Sequence, residues 1–369
     1  QPGLTPRKKK ETILFDRDIH FTFGKGDEIT QYRNRTAAEK VAWKTVTFGQ
    51  LKCLLEVLLF LNLYYKIEEH KNPKVLYIGA ALGTNIGVLA KLYPMMEFHL
   101  YDSSKFNEKA LDLDNITIYK KNFEEEDEEE WAKIAKTDSV FLVSDIRNTS
   151  FDLNTKNVVA NKEASLANEA KVWEDMLLQQ KWVVNIKPVE SCLKFRLPYY
   201  FDYVTQTNYN YLKGTIYRQA WQKPISGETR LVPNKPEDGI YSMQDYDIRT
   251  YENLCFHHNL YIRQKVLFIN PFSVNNSDIK PTDKIAETLG LENDYDSVYT
   301  TTIITDYLLK FGVNPTLEQF KRIAKFIIEG AGDGTIWKYN LYGLRSIGVS
   351  KSLAFRYEDG THLDQSKNK

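Results

Sequence analysis

The sequence predicts an α/β fold built on a mostly parallel sheet, and three observations support this prediction. Short apolar segments alternate with helical patterns from residue 74 onwards. These segments are apolar throughout rather than at every second position, which is typical of parallel strands covered by helices on both faces. The third observation is a turn of glycines and alanines, from Gly79 to Gly83, between an apolar strand and the start of a helix.

The elements can be assigned in chain order from local composition. Residues 1–30 are first basic and then mixed, and their lack of periodicity predicts a flexible N-terminal arm. A short helix is expected within residues 31–44. A buried helix is expected at residues 48–65, where leucines cover most of the circumference. The predicted strands are 75–79, 98–102, 116–120, 139–144 and 182–187, with helices after the first strand and at 155–180, and with two antiparallel edge strands at 214–221 and 229–232.

The character of the sequence changes beyond residue 245. Prolines separate further helical patterns at 251–265, 295–311 and 317–329. We therefore expect an α/β domain at residues 31–245 and a helical extension at residues 246–330 that packs on it. Residues 331–369 mix glycine and charge, and they are expected to form an irregular tail.

The composition excludes several classes of protein. Lys+Arg and Asp+Glu both number 49, so net charge does not point to nucleic acid, although residues 7–10 form a basic block and residues 124–130 an acidic one. No histidine pair has metal-ligand spacing, and three widely spaced cysteines indicate a reducing compartment. The most apolar run, residues 51–63, carries charges and is too short to span a bilayer. We expect a soluble, intracellular protein without a metal site.

The turn from Gly79 to Gly83 is the first candidate site. Small residues between a strand and a helix N-terminus let backbone N–H groups approach a ligand closely. Asp102 ends the next strand 23 residues after Gly79, near the spacing of about 20 at which such folds place a carboxylate on a ribose. The Gly-x-x-x-Gly spacing disfavours a pyrophosphate and favours a nucleoside with an amino-acid tail, S-adenosylmethionine. The alternative is a turn with a purely structural role.

Four charged residues are expected to meet beside this turn. Asp145 and Lys194 each follow a predicted strand, and Glu228 precedes another. Ligands of open α/β sheets bind outside the carboxyl ends of the strands, at this edge. Lys52 is a cation in an otherwise apolar helix, so it needs an acidic partner. The alternatives are that Asp145 caps a helix and that Lys52 pairs with Glu56 one turn along its own helix.

These four charges, in this chain order around a glycine turn, resemble the tetrad of the RrmJ/FtsJ-like ribose 2′-O-methyltransferases. The resemblance implies a Rossmann-like S-adenosylmethionine-dependent methyltransferase, in which a mostly parallel central sheet has helices on both faces. It also implies that Lys194 is the general base for a ribose hydroxyl, while Asp145 and Glu228 orient the lysines. A lysine has an unperturbed pKa of roughly 10.4. A second cation and burial lower the pKa of an amine and make it available as a base, without any metal.

Five stretches narrow the resemblance to the poxvirus cap-specific mRNA 2′-O-methyltransferases, a family that also serves as the small subunit of the poly(A) polymerase. They are Phe48-Gly49-Gln50-Leu51-Lys52-Cys53-Leu54-Leu55, Tyr77-Ile78-Gly79-Ala80-Ala81-Leu82-Gly83-Thr84, Leu142-Val143-Ser144-Asp145-Ile146-Arg147, Leu193-Lys194-Phe195-Arg196 and Ser226-Gly227-Glu228-Thr229-Arg230-Leu231. The likeness runs from Tyr32 to Phe326. It implies a large cytoplasmic DNA virus as the source, the host cytoplasm as the location, and capped RNA and a poly(A) polymerase or other capping or transcription subunit as partners.

The resemblance also implies two sets of binding residues. Those that would line the S-adenosylmethionine site by motif position are Gln50, Gly79, Gly83, Asp102, Asn122, Phe123 and Asp145. In this family 7-methylguanine lies between two aromatic rings and is read by two carboxylates, and the matching positions are Tyr32, Tyr199, Asp202 and Glu252. A methylated guanine is cationic, so it stacks strongly and favours acids at its edge. Ordinary packing is the alternative for the tyrosines, of which the chain has 23.

Two positions depart from the family pattern. Leu82 stands where the family has proline, and Ser104 stands where the poxvirus proteins have arginine.

Three functions stay open. They are a cap 2′-O-methyltransferase, a non-catalytic RNA-binding processivity subunit of a poly(A) polymerase, and a cap-independent RNA 2′-O-methyltransferase. Each needs cations at the rim of the cleft to contact RNA. The candidates are Arg147, Lys187, Arg196 and Arg230.

Overall fold

The computed structural model describes residues 13–14, 19–42, 49–147, 158–202, 205–223, 226–268, 270, 272 and 294–331. Most of the predicted N-terminal arm and all of the predicted tail but its first residue lie outside the described residues. The predicted domain boundaries after residues 30, 245 and 330 stay predictions.

The strands of the described residues form one large sheet and two small ones. They are β1 (Ile13–Leu14), β2 (Lys74–Ile78), β3 (Glu97–Tyr101), β4 (Ile116–Tyr119), β5 (Val140–Ser144), β6 (Glu190–Phe195), β7 (Asn208–Leu212), β8 (Gly214–Tyr217), β9 (Thr229–Pro233), β10 (Met243–Asp247) and β11 (Val266–Leu267). The small sheets pair β1 with β11 and β7 with β10.

The large sheet has the strand order β4-β3-β2-β5-β6-β9-β8. Its first five strands are parallel, while β9 and β8 form an antiparallel edge, as predicted. The chain runs outward from β2 to β4 and then returns to β5 on the other side of β2, so the strand order reverses between β2 and β5. Ligands of such sheets bind at this switch point, outside the carboxyl ends of the strands. Gly79 and Asp145 directly follow these two strands.

Helices cover both faces of the large sheet. The α-helices of the described residues are α1 (Ala37–Ala42), α2 (Gly49–Tyr64), α3 (Thr84–Leu92), α4 (Glu125–Ile134), α5 (Val158–Ile186), α6 (Ile248–His257), α7 (Arg263–Lys265), α8 (Tyr295–Lys310) and α9 (Leu317–Ala331), with a 3₁₀ turn at Glu108–Ala110 and a π-helical turn at His258–Ile262. Side chains of α2, α3, α8 and α9 form one core with Phe141 and Cys192. Side chains of α4, α5 and α6 form the other with Leu142 and Leu193. The predicted parallel sheet with helices on both faces is confirmed.

The predicted strand at residues 182–187 is wrong. Helix α5 continues to Ile186, and the strand is β6, which begins at residue 190. Trp182 and Val183 are buried one turn before Ile186 and face the core beneath α5. A short apolar segment does not distinguish a buried helix from a buried strand by pattern alone. Lys187, the residue after the helix, has a φ of +53°.

The other predicted elements differ from the structure mainly in length. The strands predicted at 75–79, 98–102, 116–120 and 139–144 correspond to β2, β3, β4 and β5, and the predicted helices at 48–65 and 155–180 to α2 and α5. Strand β8 is shorter than the predicted 214–221, and α1 is the helix expected within 31–44. Strands β7 and β10 were not predicted. None of the described helices is both long enough and apolar enough to cross a membrane.

Candidate active site

The turn after β2 and the end of β5 approach each other closely at the switch point. Gly79 has a φ of +80°, and a Cβ on this residue would lie 2.8 Å from the nitrogen of Ile146 and 2.9 Å from the carbonyl carbon of Asp145. The backbone N–H of Asp145 donates to the carbonyl of Ile78 over 2.9 Å. Glycine is the residue that this contact admits. The Asp145 backbone is therefore held directly against the turn.

Asp102 holds the same turn from the neighbouring strand. Its Oδ2 accepts a hydrogen bond from the backbone N–H of Ala81 at 3.0 Å, and its Oδ1 accepts one from Ser104 at 2.8 Å. Gly83 precedes α3 with a φ of +80°, and a Cβ there would lie 2.8 Å from the Leu111 side chain. Both glycines and Asp102 thus belong to one closely packed turn.

Lys52 and Lys194 both lie beside the carboxylate of Glu228. Lys52 Nζ donates to Glu228 Oε1, and Lys194 Nζ lies 3.6 Å from Glu228 Oε2. Lys194 Nζ also lies 3.0 Å from Asp145 Oδ1. These four side chains are between 12% and 19% exposed. The structure thus brings the predicted tetrad together as a largely buried ionic cluster.

The alternation of side chains along β6 explains how Lys194 reaches this cluster. Lys194 lies inside the strand, not beyond its end as predicted. Because successive side chains point to opposite faces, Cys192 and Lys194 share the face covered by α2, while Leu193 faces the other core. The antiparallel register sets Lys194 opposite Arg230 of β9, and Glu228 directly precedes that strand.

Arg230 and Glu56 extend the cluster. Arg230 Nε donates to Glu56 Oε2 over 2.7 Å, and Arg230 Nη2 donates to Asp145 Oδ1 over 2.9 Å. The two side chains are only 4% and 3% exposed. Arg230 supplies the third cation of the cluster and Glu56 the third carboxylate, so the formal charges of the six side chains balance.

Two spacings in the sequence indicate that Glu56 and Arg230 lie on the same side as residues of the predicted tetrad. Glu56 follows Lys52 by four positions, which places both on one face of α2. Arg230 follows Glu228 by two positions, which places both on one face of an extended chain. From the sequence alone Glu56 was only the alternative partner of Lys52, and the structure pairs Lys52 with Glu228 instead. Asp145 does not cap a helix, because α5 begins well beyond it.

Within the cluster, charge pairing and burial shift the pKa values of the side chains in opposite directions. Burial favours the neutral forms of Asp145 and Glu228, but Lys194, Lys52 and Arg230 outweigh it and hold the pKa of both carboxyl groups below the usual range. Burial alone would lower the pKa of the Lys52 amine, but Glu228 and Glu56 outweigh it and raise that pKa. Lys52 and the carboxyl groups of Asp145 and Glu228 are therefore ionised at neutral pH. Burial raises the pKa of Glu56 even though Arg230 lies beside it.

The remaining predicted cofactor residues have contrasting surroundings. Gln50, at the start of α2, has a buried Oε1 to which no described residue offers a hydrogen bond. Phe123 is buried and packs edge-on against Tyr101 and Trp182, at centroid distances of 4.9 and 5.3 Å. Asn122 is exposed beside it. Over the described part of the chain, no group of three His, Cys, Asp or Glu side chains is arranged to hold a metal ion.

Tyr199 stacks on a fixed cation. The guanidinium of Arg196 lies 4.2 Å from the centroid of the Tyr199 ring. Glu169 of α5 holds both residues, because its Oε2 accepts from Arg196 Nη1 at 2.8 Å and from the backbone N–H of Tyr199 at 2.8 Å. A Cβ on Gly227 would lie 3.4 Å from the same ring. One face of Tyr199 is thus covered by Arg196, and the ring lies next to the segment that carries Glu228.

Glu252 lies against the loop that follows Tyr199. Its Oε1 accepts a hydrogen bond from the backbone N–H of Tyr200 at 2.8 Å. Burial raises the pKa of Glu252 to about 7. Asp202, the other predicted carboxylate, is exposed further along the same loop. The structure therefore sets one of the two acids against the loop and leaves the other in solvent.

Helix α6 also holds the segment that carries Tyr32. The backbone N–H of Tyr32 donates to Asn253 Oδ1 over 2.9 Å. The Tyr32 ring is 46% exposed and lies edge-on to Phe256, with centroids 5.2 Å apart. Asn253 directly follows Glu252, so neighbouring residues of α6 contact the Tyr32 segment and the loop after Tyr199. The predicted cap residues Tyr32, Tyr199 and Glu252 are thereby linked through one helix.

The predicted rim cations differ in position. Arg230 belongs to the cluster, and Arg196 is paired with an acid. Lys187 lies between α5 and β6, at the amino edge of the sheet, so its prediction as a cleft contact is wrong. Arg147 follows the end of β5; its Nη1 lies 4.0 Å from Asp175, and its buried Nη2 has no partner among the described residues. Arg147 is the best placed of the four to receive a ligand.

Two comparisons relate this chain to known proteins. The cap-specific mRNA (nucleoside-2′-O-)-methyltransferase of fowlpox virus (strain NVSL) is 27% identical over 231 residues, which cover 59% of this chain and 69% of that relative. A family model described as "Poly A polymerase regulatory subunit" matches residues 18–305, which are 288 of the 369 residues and include the whole ionic cluster. The chain therefore belongs to the family of poly(A) polymerase regulatory subunits.

Proposed function

We propose that the protein transfers a methyl group from S-adenosylmethionine to the ribose 2′-hydroxyl of the first transcribed nucleotide of capped viral mRNA. The observation that carries this proposal is the cluster of Lys52, Asp145, Lys194 and Glu228 beside the glycine turn at the switch point. The similarity to a viral cap methyltransferase supports the same reaction.

The reaction needs a base, because a ribose hydroxyl is a weak nucleophile. S-adenosylmethionine, when bound, supplies a methyl group on a positively charged sulfur. In the proposed step Lys194 Nζ, in its neutral form, takes the hydroxyl proton as the 2′ oxygen forms a bond to the methyl carbon and the carbon–sulfur bond breaks. A positioned general base of this kind contributes typically about 10²–10⁴-fold to the rate.

The other charges of the cluster make this role of Lys194 compatible with burial. Asp145 and Glu228 hold its Nζ from two sides, at 3.0 and 3.6 Å. When the amine becomes neutral, Arg230 still pairs with Asp145 and Lys52 still pairs with Glu228. Neither carboxylate is then left as an unpaired buried charge, which would cost several kcal/mol.

The glycine turn and its neighbours would hold the cofactor. Gly79 and Gly83 let the backbone approach the ligand, and Asp102 lies where a ribose is bound in such folds. Gln50 Oε1, which has no partner among the described residues, suits a ligand donor, since buried polar atoms are normally hydrogen-bonded. Asn122, Phe123 and Asp145 complete the proposed set. These residues fit a nucleoside with an amino-acid tail.

Recognition of the cap is proposed for the surface around α6. A 7-methylguanine is cationic, so an aromatic face and an acid at its edge both favour it. Tyr199 and Tyr32 offer the rings, and Glu252 and Asp202 offer the acids. We propose that Arg147 contacts an RNA phosphate through its Nη2, to which the described part of the chain offers no partner.

The test is a methyl-transfer assay with radiolabelled S-adenosylmethionine on short RNA that is identical in sequence and either capped or uncapped. We expect label only on the 2′ oxygen of the first transcribed nucleotide of the capped RNA, identified after nuclease digestion, with competition by 7-methylguanosine cap analogue. Equal labelling of both RNAs without competition would assign a cap-independent methyltransferase. No labelling would leave only the role as a regulatory subunit.

A second function is favoured by the family to which the chain belongs. We propose that the protein also binds a poly(A) polymerase in the host cytoplasm and increases its processivity. Elongation of an oligo(A) primer by the viral polymerase, with and without this chain, tests the proposal. Longer tails at equal polymerase concentration support it. The Lys194→Ala variant should retain this effect, because the proposed role in elongation does not use the base that methyl transfer needs.

A further inference from the structure

A small cavity lies directly behind the ionic cluster, between α2, β6, β9 and α8. Its lining includes Glu56, Cys192, Arg230 and Tyr299, and its volume is about 10 Å³. That volume is close to the minimum of about 10–15 Å³ that holds one water molecule. All four of these side chains are buried, whereas Tyr64 and Tyr217, which also line the cavity, are half-buried.

Three side chains of the cavity lining each carry a polar atom that lacks a partner among the described residues. These atoms are Glu56 Oε1, Arg230 Nη1 and Tyr299 Oη. Each belongs to a side chain whose residue is at most 5% exposed. Buried polar groups are normally hydrogen-bonded, and three such atoms around one small cavity are therefore unusual.

The chemistry of these atoms matches a single water molecule. A water oxygen can accept a hydrogen bond from Arg230 Nη1, and one water hydrogen can be donated to Glu56 Oε1. The Tyr299 hydroxyl can complete the set as donor or acceptor. Buried waters typically make about three hydrogen bonds, and apolar cavities without such partners stay dry.

We propose that one water molecule binds among Glu56, Arg230 and Tyr299, and that Tyr299 and Glu56 are positioning residues for the methyl-transfer site. The connection runs from Tyr299 through the water to Arg230, from Arg230 Nη2 to Asp145 Oδ1 at 2.9 Å, and from that oxygen to Lys194 Nζ at 3.0 Å. Through this connection, helix α8 fixes the plane of the guanidinium that holds Asp145. The positioning role rests on the proposed function; the water site does not.

The test uses the full chain with the substitution Tyr299→Phe, which removes only the hydroxyl. Tyr295→Phe is the matched control, because Tyr295 lies one turn earlier on α8, is equally buried, and donates to the carbonyl of His20 rather than to the cavity. Crystal structures of the wild type and Tyr299→Phe are compared, together with kcat and KM for capped RNA and S-adenosylmethionine.

We expect wild-type density for one water within about 2.7–3.2 Å of all three atoms. In Tyr299→Phe we expect kcat to fall by about 3- to 10-fold, the effect of one hydrogen bond, with both KM values unchanged. Tyr295→Phe should keep the wild-type kcat. Unchanged KM values alone do not separate positioning from a loss of folded enzyme, because fewer active sites also lower Vmax at the same KM. The kcat of each variant is therefore expressed per site that binds S-adenosylmethionine in calorimetry.

Three results would each overturn part of the inference. Wild-type crystals that show no water in the cavity remove the water site. A Tyr299→Phe kcat equal to that of Tyr295→Phe removes the positioning role, even if the melting temperature falls. A wild type that transfers no methyl group overturns the proposed function and the positioning role together, while the crystals still decide the water site.

Discussion

Lys194 and Arg230 face each other on adjacent antiparallel strands and contact the same oxygen, Oδ1 of Asp145. The two cations differ in chemistry, because a guanidinium stays protonated whereas an ammonium can lose its proton when its surroundings demand it. Arg230 therefore remains a charged partner of Asp145 whether or not Lys194 carries its proton. In the proposed reaction, Arg230 would hold the acid and Lys194 would take up the proton.

Replacing Lys194 with alanine should abolish methyl transfer. Loss of the proposed base should lower the rate by about 10²–10⁴-fold, while the affinity for S-adenosylmethionine stays within twofold because the glycine turn is unchanged. The measurements are labelled methyl transfer and calorimetric cofactor binding. Lys187→Ala is the matched control, since Lys187 lies at the opposite edge of the sheet. A Lys194→Ala variant with near-normal transfer would remove Lys194 as the base.

Replacing Arg230 with methionine should destabilise the fold. The substitution leaves Glu56 and Asp145 without the guanidinium that joins them, and breaking such a buried pair typically costs about 3–5 kcal/mol. Chemical denaturation measures the change in the free energy of unfolding. The control is Lys66→Met, which breaks an exposed pair with Glu69 and should cost less than about 1 kcal/mol. Equal effects of the two substitutions would contradict the prediction.

Alanine at position 79 should prevent cofactor binding. The added Cβ would lie 2.8 Å from the backbone nitrogen of Ile146, and the φ of +80° disfavours any residue with a side chain. We expect the affinity for S-adenosylmethionine to fall by at least about tenfold, which corresponds to about 1.4 kcal/mol. Gly24→Ala is the control, because a Cβ there has no neighbour within 4 Å. Calorimetry on both variants tests this, and unchanged binding by Gly79→Ala would show that the turn does not hold the ligand.

The Glu252→Gln substitution should change how stability depends on pH. Burial raises the pKa of Glu252 from 4.5 to about 7, so the folded protein binds this proton more tightly than the unfolded chain does. This residue therefore lowers the free energy of unfolding as the pH rises from about 4.5 to about 7, and its effect is constant above that range. A glutamine keeps the acceptor for the Tyr200 N–H but has no proton to lose.

The measurement is the difference in melting temperature between Glu252→Gln and the wild type. It should increase in favour of glutamine between pH 4.5 and 7 and then level off. Glu318→Gln, at an exposed position of α9, is the control and should show a constant difference over the same range. A constant difference for Glu252→Gln as well would contradict the raised pKa.

The fold was predictable from the sequence wherever burial and turn chemistry agreed. Strands β2 and β5 are apolar throughout and end at residues that break the pattern, so both were located within a residue or so. The segment 182–187 was misread because Trp182 and Val183 are buried equally well by a helix or a strand. Strand β7 alternates tyrosine with asparagine and has little apolar content, which concealed it.

The four charges of the predicted tetrad were identifiable because each stands out from its surroundings, as Lys52 does among leucines. Arg230 and Glu56 were not assigned to the cluster, because membership depends on the register between β6 and β9 and on the packing of α2 over them. No local pattern contains that information. The buried Tyr299 hydroxyl lies still further away in sequence and is visible only in three dimensions.

Lys52 and Glu228, which share one hydrogen bond across the cluster, are 176 residues apart in the chain. Closing a loop of this length has an entropic cost, and non-local contacts of this kind slow folding. During synthesis, Lys52 can therefore pair with Glu228 only after β9, the strand that follows Glu228, has left the ribosome. The proposed methyl transfer should then appear only when the antiparallel edge, β8 and β9, is complete. Truncated chains that end before this edge should be inactive even if they contain the whole glycine turn.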